Sequence, residues 1–179
     1  MMKNKRNISV ILFGFVPMIM GVVLYHKIPD KIPIHWNIAG NIDQYGGKNL
    51  VIIGFPLLMI LISVVIMVID SANRQNKKLD TAIIWITPIL SIILATMMYA
   101  TALGHQVNII GSVALIVGTL LIILGNYAPK TDPNKYSNFR TKKITQDSSY
   151  REKLNRLSGV WMVVIGILML CAGIVGILL

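Results

Sequence analysis

Four residues in the first third of the chain carry side chains that could bind a metal or move a proton: His26, Asp30, His35 and Asp43. As metal ligands they match none of the standard spacings, so no metal and no cofactor are expected. As a hydrolytic pair, a His and an Asp need a nucleophile and an oxyanion site, and no Ser, Thr or Cys accompanies them in this stretch. The segment from Ile32 to Asp43 sets hydrogen-bonding groups beside an aromatic ring, which is chemistry suited to recognition rather than catalysis. His35, Asn37, Asn41 and Asp43 offer polar contacts, Trp36 offers an apolar anchor, and Gly40 supplies backbone freedom.

The backbone of this segment is constrained by its own residue types. The pairs Ile28-Pro29 and Ile32-Pro33 force extended geometry at each Ile and exclude a regular helix. Asn37, Gly40 and Asn41 suit one tight turn, and Gly46-Gly47 suit another. Trp36 and Tyr45 are ring types that sit at the headgroup level of a bilayer.

The elements that must hold this segment are apolar helices. The chain has 179 residues, 55% hydrophobic and 13% charged, with a mean hydropathy of +0.69. That composition excludes an ordinary soluble domain. A bilayer core of about 30 Å needs about 20 apolar residues at 1.5 Å each. Five runs without Lys, Arg, Asp or Glu qualify: residues 8–25, 50–69, 81–103, 108–124 and 159–179. The first follows Lys3, Lys5 and Arg6 but is long for a signal peptide and lacks a small-x-small cleavage site, so it is read as a retained helix. The expected fold is an all-α integral membrane protein, a five-helix bundle forming one polytopic domain over residues 1–179, located in the bacterial cell membrane.

All seventeen Lys and Arg lie outside these runs, and an inside N-terminus puts fourteen of them inside against three outside. The C-terminus then lies outside, residues 26–49 form an outer loop, and residues 125–158 form an inner one. The net charge of +10 follows from this topology and from anionic lipid headgroups, without nucleic acid as a direct partner. Cys171, the single cysteine, falls within a spanning run and leaves no disulfide to form.

Within the spans, Gly14, Pro17 and Gly21, then Gly54 and Pro56, then Pro88 mark positions where a helix can bend. Gly111, Gly118 and Gly125 recur every seven residues, as do Gly159, Gly166 and Gly173, and each set lines one helix face. These faces are expected to pack on each other or on a partner, a homodimer being the second use. No charged residue falls at mid-membrane depth, which argues against an ion-coupled pump. The hydroxyls within the spans, Ser63, Thr87, Ser91, Thr96, Thr101, Ser112, Thr119 and their like, give a small-molecule or lipid transporter thin support, because such groups bond back to their own helix. Asp80, ahead of Thr81-Ala82, reads as a helix start.

The inner loop is long enough to imply a partner or a role of its own. Pro129 and Pro133 punctuate its beginning, and Asp147, Ser148 and Ser149 can start a short helix through Arg156 that turns Arg151, Lys153 and Arg156 toward the headgroups.

Ile32-Pro33-Ile34-His35-Trp36-Asn37, Gly40, Asp43 and Lys48 resemble a domain of unknown function with the pattern IPxHWNxxGxxDxxxxK, found near the N-terminus of small bacterial membrane proteins. Gly125-Asn126-Tyr127, Pro129-Lys130, Pro133-Asn134, Phe139-Arg140-Thr141 and Asn155-Arg156 resemble the signature loop of the Sdp immunity protein family. Where that loop continues into Pro-Trp-Thr-Leu, this chain has Lys142-Lys143-Ile144-Thr145. The resemblance implies a non-enzymatic membrane protein that protects its cell from a secreted, membrane-directed peptide toxin. It also implies signalling, through sequestration of a cytoplasmic repressor. The alternative from the residues alone is a signalling or scaffold protein that recruits a cytoplasmic partner through the basic inner loop.

Overall fold

The computed structural model describes residues 2–72, 77–127 and 148–178. It contains five helical spans long and apolar enough to cross a membrane: Lys5–Val23, Leu50–Ile69, Thr81–Ala102, Ile109–Tyr127 and Glu152–Leu178. They coincide with the five runs read from the sequence, and the chain is a multi-pass membrane protein. Its residues divide into two compact units, Met1–Ile109 and Ile110–Leu179.

In the first unit, the leading span is two helices, α1 (Met2–Gly14) and α2 (Val16–Val23), with Pro17 at the start of α2. Pro17 has no N–H to give the carbonyl one turn back, so the helix breaks there and Phe15 N donates to the Leu12 carbonyl at 3.1 Å instead. The next span opens with a wide π-turn, Leu50–Gly54, before α3 (Phe55–Ala72), and Phe55 N donates five residues back to the Leu50 carbonyl. The widened turn sits immediately ahead of Pro56, another residue without a donor. The third span, α4 (Lys77–Ala102), runs through Pro88 as a single helix. Its start at Lys77 places Asp80 inside the first turn rather than ahead of it.

Two buried apolar clusters fill the unit. One joins Ile28, Ile32, Val51, Ile52, Ala95, Met98 and Tyr99, and the other joins Val10, Met67 and Ile84. Between them Gly14 meets α3 so closely that a Cβ would lie 2.6 Å from Ile60 Cγ1. Ser63, Thr96 and Thr101 donate to carbonyls four residues back at 2.8–2.9 Å, as does Thr119 in the second unit. Ser91 Oγ differs, since it is buried and makes no hydrogen bond among the described residues.

The second unit pairs α5 (Ile109–Tyr127) with α6 (Ser148–Leu178). A Cβ on Gly118 would stand 2.7 Å from the Gly166 carbonyl oxygen, one on Gly125 2.6 Å from that of Gly159, and one on Gly173 2.9 Å from that of Gly111. The three pairs run in opposite directions along the two helices, so the glycine faces meet each other within one chain in antiparallel register. Where lipid removes the hydrophobic drive between helices, this backbone approach supplies the contact.

Two boundaries differ from the sequence reading for one reason. A charged or polar residue ends an apolar run without ending a helix. Gly125-Asn126-Tyr127 form the last turn of α5, and Asn155 and Arg156 lie within α6, which begins at Ser148 and continues unbroken for 31 residues. From Ser148 to Ser158 there is neither Pro nor Gly, and Glu152, Lys153 and Leu154 are strong helix formers. The short helix and the last span are therefore one element.

Candidate functional site

The segment between the first two spans is a β-hairpin rather than an irregular loop. β1 (Lys31–Trp36) pairs antiparallel with β2 (Ile42–Gly47), with Lys31 opposite Gly47, Ile32 opposite Gly46, Pro33 opposite Tyr45 and Trp36 opposite Ile42. Register irregularities fall on either side of His35. Gly46 and Gly47 belong to β2 and make no turn. Gly46 is buried, and a Cβ there would meet Ile34 Cγ2 at 2.9 Å and Val51 Cγ2 at 3.0 Å.

Asn37 organises the connection. Its Oδ1 accepts from the amides of Ala39 and Asn41, both at 3.0 Å. Its own N–H donates to the Asn41 carbonyl and its carbonyl accepts from Gly40 N, both at 2.9 Å. Gly40 has φ 80°, a left-handed conformation that side chains resist, which is why a glycine stands there. Ile38, at the tip of this tightly bonded turn, is fully exposed.

The hairpin is fixed to the helices at its base. Ile28 and Ile32 are 2% and 0% exposed, in the cluster with Ile52 and Tyr99, and half-buried Trp36 packs against the same cluster. Tyr99 donates its hydroxyl to the Pro17 carbonyl at 3.2 Å. It reaches α2 over Gly21, where a Cβ would lie 2.8 Å from that hydroxyl. Lys48 closes the base. Its N–H donates to the Asp30 carbonyl at 2.9 Å, and its Nζ lies 3.4 Å from Asp30 Oδ1 and 4.6 Å from the centre of the Tyr25 ring. Tyr25 in turn donates to Asn49 Oδ1 at 2.8 Å.

Six residues singled out in the sequence thus come together in one hairpin. His35 Nδ1 and Asp43 Oδ1 are 2.6 Å apart across the strands, with both side chains substantially exposed. An exposed pair of this kind adds little to stability, and what it provides is a fixed polar display. Among the described residues no group of three or more His, Cys, Asp or Glu gathers. The chemistry available is hydrogen bonding beside apolar contact. The residues missed from sequence are the supports Tyr25, Asn49 and Tyr99, while Asp30 and Ile28, read there for metal binding and for extended backbone, turn out to be supports as well. Lys48, carried by the resemblance, was the signal for the base.

The second motif is only partly described. Gly125 is buried against Gly159 where α5 ends, and Asn126, Tyr127, Asn155 and Arg156 lie on α5 and α6. Pro133, Asn134 and Arg140 lie outside the described residues.

Residues 12–60, which span the α1–α2 break, the hairpin and the opening of α3, match the family described as Domain of unknown function (DUF1648). Over 170 residues, 90% of this chain and 78% of the relative, the sequence is 29% identical to Immunity protein SdpI of Bacillus subtilis (strain 168). No solved structure matches the chain. The hairpin lies inside the matched domain, and over most of its length the chain is similar to an immunity protein of the Sdp type.

Proposed function

We propose that this chain is a non-enzymatic membrane immunity protein that protects its cell from a secreted, membrane-directed peptide toxin, and that the hairpin is its recognition element. The observation that carries this reading is the hairpin itself. A turn held by the Asn37 side chain displays Ile38 and the His35–Asp43 pair beside the half-buried Trp36, all within the matched residues 12–60. The immunity role comes from the likeness to SdpI. The excess of Lys and Arg in residues 1–7, 70–80 and 125–158 supports an inside N-terminus, the orientation in which the hairpin faces the source of such a toxin. The test is survival of a sensitive strain carrying the chain when challenged with Sdp-type and related peptide toxins. The Trp36→Ala, Asn37→Ala double variant at matched membrane level is expected to lose protection. Protection that persists in the double variant rules out recognition by the hairpin.

A second reading, signalling through sequestration of a cytoplasmic repressor, draws on α6. At 1.5 Å per residue its 31 residues reach about 46 Å, well beyond a core of about 30 Å. The helix therefore carries Lys153 and Arg156, both exposed, past the lipid on the side of the basic segment. A gentle-detergent pull-down with the intact chain is expected to recover a protein that binds through an acidic surface, and to lose it with Lys153→Glu, Arg156→Glu. Equal recovery by the variant removes α6 from that role.

A further inference from the structure

Ile38 stands at the tip of the hairpin with its side chain fully exposed, although an apolar side chain of that size is costly to leave in water. The turn around it is suited to a less polar medium. The amides of Asn37, Ala39, Gly40 and Asn41 all donate within the turn, those of Ala39 and Asn41 to the Asn37 side chain, so little of this backbone needs water. From Trp36 to Ile42 no residue is charged. The hairpin also holds the tip low. Standing upright, six residues at about 3.3 Å each would lift the turn about 20 Å clear of the bilayer. Instead β1 lies against α4, and Trp36, its last residue, packs against the cluster that includes Ile52 and Tyr99 of the second and third spans. Ile32 is buried in that cluster, and Ile34 lies with Val51 over Gly46. An apolar face thus starts among the spans at Ile32, becomes partly exposed at Ile34 and ends at Ile38. A surface that continues outward from the end of a spanning bundle meets lipid there.

We propose that the Ile38 turn is seated in the boundary between headgroups and acyl chains on the hairpin's side of the membrane, with the lipid surface as its partner. Apolar side chains are favoured at that depth, and a half-buried Trp two residues away suits the same level. Seated there, the turn presents the exposed His35–Asp43 pair along the lipid surface, where a membrane-directed peptide lies. That last consequence rests on the immunity reading, whereas the seating itself does not.

The test uses the wild-type chain with labelled Ile methyl groups in nanodiscs of phosphatidylethanolamine and phosphatidylglycerol, without toxin, and Ile38→Leu to assign the Ile38 signal by its loss. A lipid carrying a nitroxide high on its acyl chain is expected to broaden that signal away, and a water-soluble gadolinium chelate to broaden it much less. Equal or greater broadening by the chelate puts the tip in water and overturns the proposal. A signal that neither agent reaches puts the tip under protein, a second copy of the chain, and overturns it too. In cells challenged with the Sdp peptide toxin, Ile38→Leu is expected to protect and Ile38→Asp to lose protection at equal membrane level, because a charge at the tip is driven from the interface. Full protection by Ile38→Asp overturns the link from seating to recognition. The methyl measurement needs no toxin, so a wild-type chain that protects against no peptide removes the immunity reading while the seating of Ile38 is decided separately.

Discussion

Gly166→Leu is expected to part α5 from α6 and to leave little folded second unit in the membrane. The atom that a Cβ at Gly166 would meet, at 2.7 Å, is the backbone carbonyl oxygen of Gly118, with Ile122 N at 3.1 Å. Neither can rotate aside as a side-chain end could, so the helices themselves must separate. Gly118–Gly166 is the middle of three contacts spaced two turns apart, and widening it draws Gly111 from Gly173 and Gly125 from Gly159 as well. Overpacking of a closed interface costs about 1–3 kcal/mol for small increments. Gly166→Ala falls in that range, and Leu, with three more carbons, exceeds it. Gly176→Ala is the control on the same helix, because the nearest atom to its Cβ is 4.0 Å away. Denaturant titration of the purified chain in detergent, followed by helix content, should show Gly166→Leu unfolded or shifted far down and Gly176→Ala at the wild-type midpoint. A Gly166→Leu chain as stable as wild type would show that α5 and α6 do not depend on this approach.

The glycine spacing is what made that helix pair legible from sequence, since a seven-residue period survives on a helix face whatever lies between. The spans were legible for a similar reason, because about 20 uncharged residues in a row have few other uses. The hairpin was less so. Its proline pairs showed where a helix could not form, yet alternation was obscured by Pro33 and by the irregular register around His35, so two β-strands looked like a loop. Asn37, Gly40 and Asn41 between two short runs of β-forming residues were the available strand-turn-strand signal. Gly46-Gly47 misled as a turn, because a glycine admitted for close approach and a glycine needed for positive φ are the same letter. The supports were illegible for a different reason. Tyr99 lies 63 residues beyond Trp36 in the sequence, and only the fold puts its hydroxyl on the Pro17 carbonyl. Likewise the polar residues that close an apolar run gave no sign that α6 continues through them.

Ile32→Ala is expected to abolish protection while the chain stays in the membrane at its normal level. A two-stranded hairpin is marginal in isolation, so this one is held by what it buries. Ile32 is 0% exposed and sits with Ile28, Ile52 and Tyr99, whereas its neighbour on the same strand, Ile34, is 40% exposed. Removing a buried Ile side chain costs about 2–5 kcal/mol, with the upper end where the site cannot collapse. Here Pro33 stiffens the strand on one side, and Gly46 has no side chain to fill the space on the other. Ile34→Ala, losing a partly exposed contact, should cost about 1 kcal/mol or less. Insertion depends on the hydropathy of the spans, which neither substitution touches, so the two effects separate. Limited proteolysis of oriented vesicles should cut Ile32→Ala within residues 31–47 and spare the wild type and Ile34→Ala. Cutting of Ile32→Ala at the wild-type rate would mean that Ile28 and Trp36 suffice as anchors. If the cut and the loss of protection appear together, the polar display depends on its apolar root, because the Asn37 turn and the His35–Asp43 pair can be held in place only while Ile32 fixes the strand that carries them.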